Sequence, residues 1–83
     1  MIYAIADDKY IKIGFSENPQ KRLNQLQTAQ PVKLRLLKVW QGEKWMEGRI
    51  HLILKPLRTR HKGEWFRLIE NDLSLIDEIL SKC

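Results

Sequence analysis

The chain has 83 residues, a length that suits one small domain, and its 15 Lys and Arg against 10 Asp and Glu give a formal net charge of +5. That charge favours a polyanionic partner such as nucleic acid or an acidic membrane surface. No apolar run is long enough to span a bilayer and no signal-peptide pattern is present, so we expect a cytoplasmic protein. The lone cysteine, Cys83, excludes an internal disulfide and a cysteine-rich zinc site.

The N-terminal segment predicts a β-hairpin. Two stretches rich in Ile and Tyr flank Asp7-Asp8, which suits a two-residue turn. The resulting register places Tyr3 directly opposite Lys12, with Tyr10 on the same face, while the other face is apolar and belongs to the core. We therefore expect two phenols and an ammonium to lie close together on one face of the sheet.

A helix is predicted to begin after this hairpin. Asn18 is a good N-cap residue and Pro19 suits the first helical position, so the helix should run from Pro19 to about Gln30. Its free N–H groups favour an anion, yet Lys21 and Arg22 lie in the first turn, where each cation opposes the helix dipole by roughly 0.3–1 kcal/mol. Either these are solvated side chains tolerated at small cost, or they form part of a phosphate site.

The next two elements are a strand and a second helix. Alternation over 33–41 predicts a strand with Leu34, Leu36 and Trp40 on one face. Over 43–55 we expect a helix whose buried stripe consists of Met46, Ile50 and Ile53. Glu47 and His51 stack one above the other beside this stripe, where a partly desolvated carboxylate attracts a cation; a surface glutamate paired with Lys44 or His51 is the alternative. Gly48 costs about 1 kcal/mol relative to Ala in a helix, which points to a close approach of another backbone or a ligand.

The C-terminal third begins with a basic loop and ends with a helix. The loop carries Arg58, Arg60, His61 and Lys62, which are candidates for nucleic-acid binding. An extended segment, 64–68, follows, and its adjacent Trp65 and Phe66 must point to opposite sides. The last helix has an apolar stripe formed by Leu73, Ile76, Ile79 and Leu80.

Together these motifs resemble one nuclease family. Ile2-Tyr3 in a first strand, Lys12-Ile13-Gly14 in a second, Arg22 eight residues after that glycine, and Glu47 on a later helix resemble the GIY-YIG nuclease superfamily. The ending Lys62-Gly63-Glu64-Trp65-Phe66, together with Glu47-x-x-x-His51, is similar to its compact phage-associated and fungal branch. The resemblance covers residues 1–68, the expected catalytic core, and leaves 69–83 as a capping helix of a single domain, 1–83.

The resemblance implies both a fold and an activity. The fold is of the α+β class, with a small three-stranded mixed or antiparallel sheet flanked by helices in the order β-β-α-β-α, a short extended segment and a last α-helix. The implied activity is that of an endonuclease that hydrolyses DNA phosphodiester bonds with one divalent metal ion, usually Mg²⁺, with Mn²⁺ as the alternative. Because no base-reading element is evident, we expect weak sequence preference.

The resemblance also implies functional roles for individual residues of this chain. The resemblance assigns Tyr3, Arg22 and Glu47 to the catalytic set, with Glu47 as the metal ligand, and Gly14 to the second motif. Lys12 stands where that motif has its tyrosine and is a fourth candidate catalytic residue; we expect it to bind phosphate or to lower the pKa of Tyr3. Three further residues are expected in supporting roles, Tyr10 as a second phenol and Lys21 and His51 as phosphate contacts or proton carriers.

Two other functions fit the same sequence. The first is a nucleic-acid-binding module that does not cleave, or a regulatory partner of a larger enzyme. Such a module would keep the basic surface and would not need the tyrosine that Lys12 replaces. For the nuclease and for the binding module, the expected partner is double- or single-stranded DNA and not a membrane. Another protein could direct the domain to its target. A purely structural domain is the third alternative, but it leaves the two cations at the helix start unexplained.

Overall fold

A computed structural model of the protein describes residues 1–58 and 64–83. The elements in chain order are strands β1 (Ile2–Ala6) and β2 (Ile11–Phe15), helix α1 (Pro19–Thr28), strand β3 (Arg35–Trp40), helix α2 (Lys44–Ile53), a 3-10 turn (Lys55–Leu57), strand β4 (Trp65–Phe66), a second 3-10 turn (Glu70–Asp72) and helix α3 (Leu73–Ser81). The predicted α+β class is confirmed. Within the described ranges, no helix is both long and apolar enough to cross a membrane.

The sheet has four antiparallel strands in the order β3-β1-β2-β4. The expected count of three was wrong, because the short extended segment near the C-terminus pairs with β2 and becomes β4. Ile11 lies opposite Phe66 and Lys12 lies opposite Trp65. The ladder continues where the N–H of Ile13 donates to the carbonyl of Glu64 at 3.1 Å. This pairing carries Glu64 from a distant part of the sequence to the side of β2.

The predicted hairpin register was wrong by two residues. Tyr3 lies opposite Gly14, and Lys12 lies opposite Ile5 instead of Tyr3. Because the shift is an even number of residues, Tyr3 and Lys12 still share a face of the sheet. Tyr10 falls outside β2 altogether.

The turn of the hairpin explains this shift. The Asp7 carboxylate accepts hydrogen bonds from the N–H groups of Lys9 at 2.7 Å and Tyr10 at 2.6 Å. The N–H of Asp7 itself donates to the carbonyl of Tyr10 at 3.1 Å. Asp7 therefore closes a turn wider than the expected two residues, as aspartate side chains commonly do.

The predicted shared face of β3 was wrong because the strand contains a bulge. Lys38 pairs with Ala4 and Leu36 pairs with Ile5, so Leu37 is an extra residue between them. An extra residue reverses the alternation of side chains beyond it. As a result Leu34 and Leu36 lie on one side of the sheet and Trp40 lies on the other, whereas one shared face was expected.

Helices cover both faces of the sheet. One side, with α2 and α3, holds the larger core, which includes Ile2, Ala4, Ile11, Ile13, Ile50, Leu54, Phe66, Leu73 and Ile76. The other side, with α1, holds Tyr3, Ile5 and Leu34 packed against Leu23, Leu26 and Trp65. Trp65 and Phe66 thus point to opposite sides, as predicted. The apolar stripe of α3 is also confirmed, since Leu73 and Ile76 are buried and Ile79 and Leu80 pack against the same core.

The buried face of α2 differs from the predicted one in a way that matters for the site. Ile53 is 51% exposed, whereas Leu54 is only 4% exposed. At 3.6 residues per turn, Ile50, Leu54 and Glu47 project within about 60° of one another. The buried face is therefore centred on these residues, and Glu47 lies inside it instead of at its border.

Candidate active site

The site begins with a close contact between β1 and β2. Tyr3 is 1% exposed, and its ring lies directly against Gly14. A Cβ atom built on Gly14 would overlap the Cζ and Oη atoms of Tyr3. Gly14 has no positive φ, so the glycine is required for space and not for an unusual backbone conformation. The side chain of Tyr3 is thereby held over the end of β2.

Arg22 reaches the Tyr3 hydroxyl from the first turn of α1. The helix begins where predicted, with the Asn18 carboxamide accepting a hydrogen bond from the N–H of Lys21 at 3.1 Å. Burial raises the pKa of Tyr3; the hydrogen bond and charge of Arg22 lower it, and the charges of Glu64 and Glu47 raise it. The net direction is upward, so the expected lowering of this pKa by Lys12 was wrong. Tyr3 is a neutral phenol at neutral pH.

Lys12 has an anionic partner instead. Its ammonium lies 2.7 Å from Oε1 of Glu64, although Lys12 is only 8% exposed. The same ammonium lies 5.7 Å from the centre of the Trp65 ring. Burial raises the pKa of Glu64, but the hydrogen bond and charge of Lys12 together with the charges of His51 and Lys44 lower it further, so its pKa lies below the ordinary value.

Glu47 is a buried carboxylate on α2. It is 6% exposed, and both of its oxygens accept from the Lys44 ammonium at 3.3 Å. The alternative interpretation, a surface glutamate paired with Lys44 or His51, was therefore correct about Lys44, but the Glu47 carboxylate is buried and not on the surface. The Lys44 side chain is largely in solvent, so this cation can move away at little cost.

His51 lies one turn further along α2 and is oriented by β2. Its Nε2 is 2.6 Å from the carbonyl oxygen of Ile13. Since a carbonyl only accepts, Nε2 is the nitrogen that carries the proton. The ring also packs on Phe66 at a centroid distance of 5.2 Å. The imidazole is thus fixed on two sides.

These side chains meet in one cluster. Glu47, His51 and Glu64 each offer one ligand atom, and these three atoms lie within 4.8 Å of one another. Two carboxylates and an imidazole are a donor set that divalent cations such as Mg²⁺ and Mn²⁺ accept. The cluster combines this anionic set with an arginine, a lysine and a phenol, which is the chemistry needed to bind and polarise a phosphate ester.

The whole chain, residues 1–83, matches the sequence profile of the T5orf172 domain. The chain belongs to the T5orf172 domain family. This family is phage-associated and nuclease-related. No curated protein and no solved structure matches the chain. Family membership therefore indicates a nuclease-like or DNA-binding domain.

Three further candidates predicted for the site of this T5orf172 domain fall within the described residues. Tyr10 is in the hairpin turn, where it lines a depression with Arg35 and Glu70. Lys21 is exposed on α1, and the Arg58 backbone forms an isolated bridge with Phe66. The remaining basic-loop candidates, Arg60, His61 and Lys62, lie outside the described residues.

One member of the cluster, Glu64, was not predicted as a site residue. Its sequence signal is a charged residue directly before two adjacent aromatics. Gly48 was expected to allow a close approach, but it is exposed, and no described atom lies within 4 Å of a Cβ built there.

Proposed function

We propose that this T5orf172 domain is a GIY-YIG-type endonuclease that hydrolyses phosphodiester bonds in DNA with the help of one divalent cation, Mg²⁺ or Mn²⁺. One observation carries the proposal: a buried phenol from β1 is hydrogen-bonded to an arginine from α1 and lies close enough to a buried carboxylate from α2 to be affected by its charge. These are the residues Tyr3, Arg22 and Glu47. A domain stabilised only by its core has no need of such a set in so small a volume.

Each of the three side chains has a role in phosphodiester hydrolysis. Arg22 offers a planar fork of donors to two phosphate oxygens and stabilises the negative charge that develops on them. Tyr3 is protonated, so it donates a hydrogen bond that positions the attacking water or a phosphate oxygen. Glu47 holds the cation through its carboxylate. When bound, such a cation lowers the pKa of a water molecule and neutralises charge on the phosphate.

Lys12 replaces the tyrosine of the second motif and supplies a positive charge at the same place. Its ammonium is buried between Glu64 and Trp65, so it is positioned by an ion pair and a ring. A positioned ammonium can stabilise the departing oxygen of the phosphodiester, where a phenol would donate a neutral hydrogen bond. The substitution changes the charge of the donor and keeps its function.

Nicking of supercoiled plasmid tests the proposal. Wild type is incubated with MgCl₂ or MnCl₂ and compared with Glu47→Gln, Arg22→Lys and the control Arg67→Lys, which makes the same substitution at an exposed arginine. We expect nicking by wild type and the control, and a loss of at least about 100-fold for the two site variants. Absence of nicking by wild type, or equal nicking by the site variants, would reject the endonuclease.

A second function is favoured by the state of Lys12. Because this residue is not a tyrosine and its ammonium is paired with Glu64 at 2.7 Å, the domain also fits a nucleic-acid-binding module that does not cut. Binding of double- and single-stranded DNA is measured between 50 and 200 mM salt, a range over which phosphate contacts lose affinity steeply, by roughly a thousandfold for six contacts. Salt-dependent binding without nicking supports this module, and no binding at low salt rejects both functions.

A further inference from the structure

We propose that Glu64 and His51 complete, together with Glu47, a three-ligand site for one divalent cation, and that Lys12 is the internal counter-ion of this site. The proposal rests on the proposed function in one respect, the assignment of Glu47 as a cation ligand. It goes further by adding two ligands and by proposing that Lys12 competes with the cation for Glu64. These additions are tested by metal binding alone.

The ligands are brought together by two independent features of the fold. Glu47 and His51 are four residues apart on α2 and so project from the same side one turn apart. Glu64 is supplied by a different part of the chain, because β4 pairs with β2 and the Glu64 carbonyl accepts from the N–H of Ile13. The ligand atoms lie within 4.8 Å of one another, so small side-chain rotations would bring them to the coordination distances of a divalent cation.

His51 is oriented as a ligand through its hydrogen bond to β2. Because Nε2 donates to the Ile13 carbonyl, Nδ1 is the ring nitrogen that is left to coordinate a cation. A backbone carbonyl that fixes the tautomer and the direction of a histidine ring is the usual support of metal-bound imidazoles. Phe66 restricts the ring from another side.

The charges around the site also favour a divalent cation. Two carboxylates placed this close repel each other, and each is compensated by a lysine, Glu47 by Lys44 and Glu64 by Lys12. Lys44 leaves easily because its side chain is 71% exposed. Lys12 is buried, so when Glu64 turns to a cation the Lys12 ammonium becomes available to another anion, and the phosphate of a nucleic acid is the anion expected there.

The donor set predicts which cations bind best. Mg²⁺ prefers oxygen ligands, whereas Mn²⁺ and later first-row ions accept an imidazole readily. With two carboxylates and one imidazole, we expect Mn²⁺ to bind about tenfold more tightly than Mg²⁺. Replacement of the imidazole should therefore lower the ratio of Mn²⁺ affinity to Mg²⁺ affinity. If the histidine were only structural, its replacement would leave this ratio unchanged.

Isothermal titration calorimetry of the full chain with MnCl₂ and MgCl₂ tests the ligand set. We expect Glu47→Gln and Glu64→Gln each to weaken Mn²⁺ binding by at least about tenfold, and the control Glu17→Gln, at an exposed carboxylate, to bind as wild type. His51→Gln keeps an N–H donor for Ile13 and should lower the ratio of Mn²⁺ to Mg²⁺ affinity. Wild-type affinity in Glu64→Gln and an unchanged ratio in His51→Gln would overturn the three-ligand site.

Lys12→Met tests the counter-ion. It removes the competitor for Glu64 and a like charge near the cation, so Mn²⁺ should bind about fivefold or more tightly, while Lys21→Met, at an exposed lysine of α1, should bind as wild type. Weaker or unchanged binding by Lys12→Met would overturn the role given to Lys12. Thermal melts establish that each variant is folded.

A measurement on wild type covers the case in which a variant does not fold. Sub-stoichiometric Mn²⁺ should broaden the NMR signals of the His51 ring before those of exposed side chains on α3, because only the ring is adjacent to the site. Broadening that spares His51 overturns the proposal. Binding with these properties but without plasmid nicking rejects only the endonuclease, whereas nicking with binding at Glu47 alone rejects only the three-ligand site.

Discussion

Adding one methyl group at Gly14 should destabilise the protein. A Cβ at this position would overlap the Cζ and Oη atoms of Tyr3, whose ring is almost completely buried in the sheet. Because the ring is buried and Gly14 lies in a strand paired on both sides, the overlap forces a displaced side chain or a shifted strand. Such overpacking typically costs about 1–3 kcal/mol. For a domain of this size each kcal/mol lowers the melting temperature by about 4–8 °C.

Gly48→Ala is the matched control for Gly14→Ala. The chemical change is the same, but among the described residues nothing lies within 4 Å of a Cβ at Gly48, which is exposed in α2. Replacing glycine by alanine in a helix should therefore stabilise the protein by about 0.5–1 kcal/mol. Urea denaturation of the two variants should show opposite changes in the free energy of unfolding.

A double-mutant cycle assigns the effect to Tyr3. In a Tyr3→Leu background the added methyl at Gly14 no longer meets an aromatic ring, so the cost of Gly14→Ala should fall to within about 0.5 kcal/mol of zero. The reasoning is refuted if Gly14→Ala is as stable as wild type. It is equally refuted if the cost is the same with and without the Tyr3 ring.

Three further outcomes are expected. Burial raises the pKa of Glu64, but Lys12 and its neighbours lower it further, so the folded pKa lies below the unfolded value of about 4.3. The ionised Glu64 therefore stabilises the fold above that unfolded value, and this stabilisation is lost as the pH falls through the lower folded value. In urea denaturation at acid pH, the free energy of unfolding of Glu64→Gln should depend less on pH than that of wild type. Burial raises the pKa of Tyr3, so the unfolded chain ionises first, and stability should fall as the pH rises above about 10; Tyr3→Phe should remove that loss in thermal melts. Gln27→Ala removes the acceptor of the Leu34 N–H at 2.7 Å and should cost about 1–2 kcal/mol by urea denaturation, unlike Gln20→Ala.

Local features of the fold could be predicted because their causes lie within a few residues. The start of α1 follows from Asn18 and Pro19, and the stripe of α3 follows from helical periodicity. The hairpin register could not be predicted, because it depends on how the Asp7 side chain bonds within the turn. The bulge at Leu37 was equally inaccessible, since it is defined only by the pairing of β3 with β1.

The same distinction holds for the site. Tyr3, Arg22 and Glu47 were chosen as candidates from residue type and motif order, and the structure brings them together. Glu64 could not be assigned because its partner Lys12 is distant in sequence and only the pairing of β4 with β2 joins them. The burial of Glu47 could not be predicted either, because it depends on a rotation of α2 by about 60°, a sixth of a turn, relative to the predicted stripe.

The bulge in β3 has a consequence for solubility. β3 is an outer strand, and an outer strand presents unpaired backbone groups to which a strand of another molecule can add. The extra residue, Leu37, interrupts the regular spacing of those groups, and the exposed Arg35 and Lys38 place charged side chains, paired with Glu70 and Asp77, on the same strand. Irregular spacing and charge both oppose association through this edge. We therefore expect the bulge that turns Trp40 toward the core also to oppose intermolecular β-sheet formation at high protein concentration.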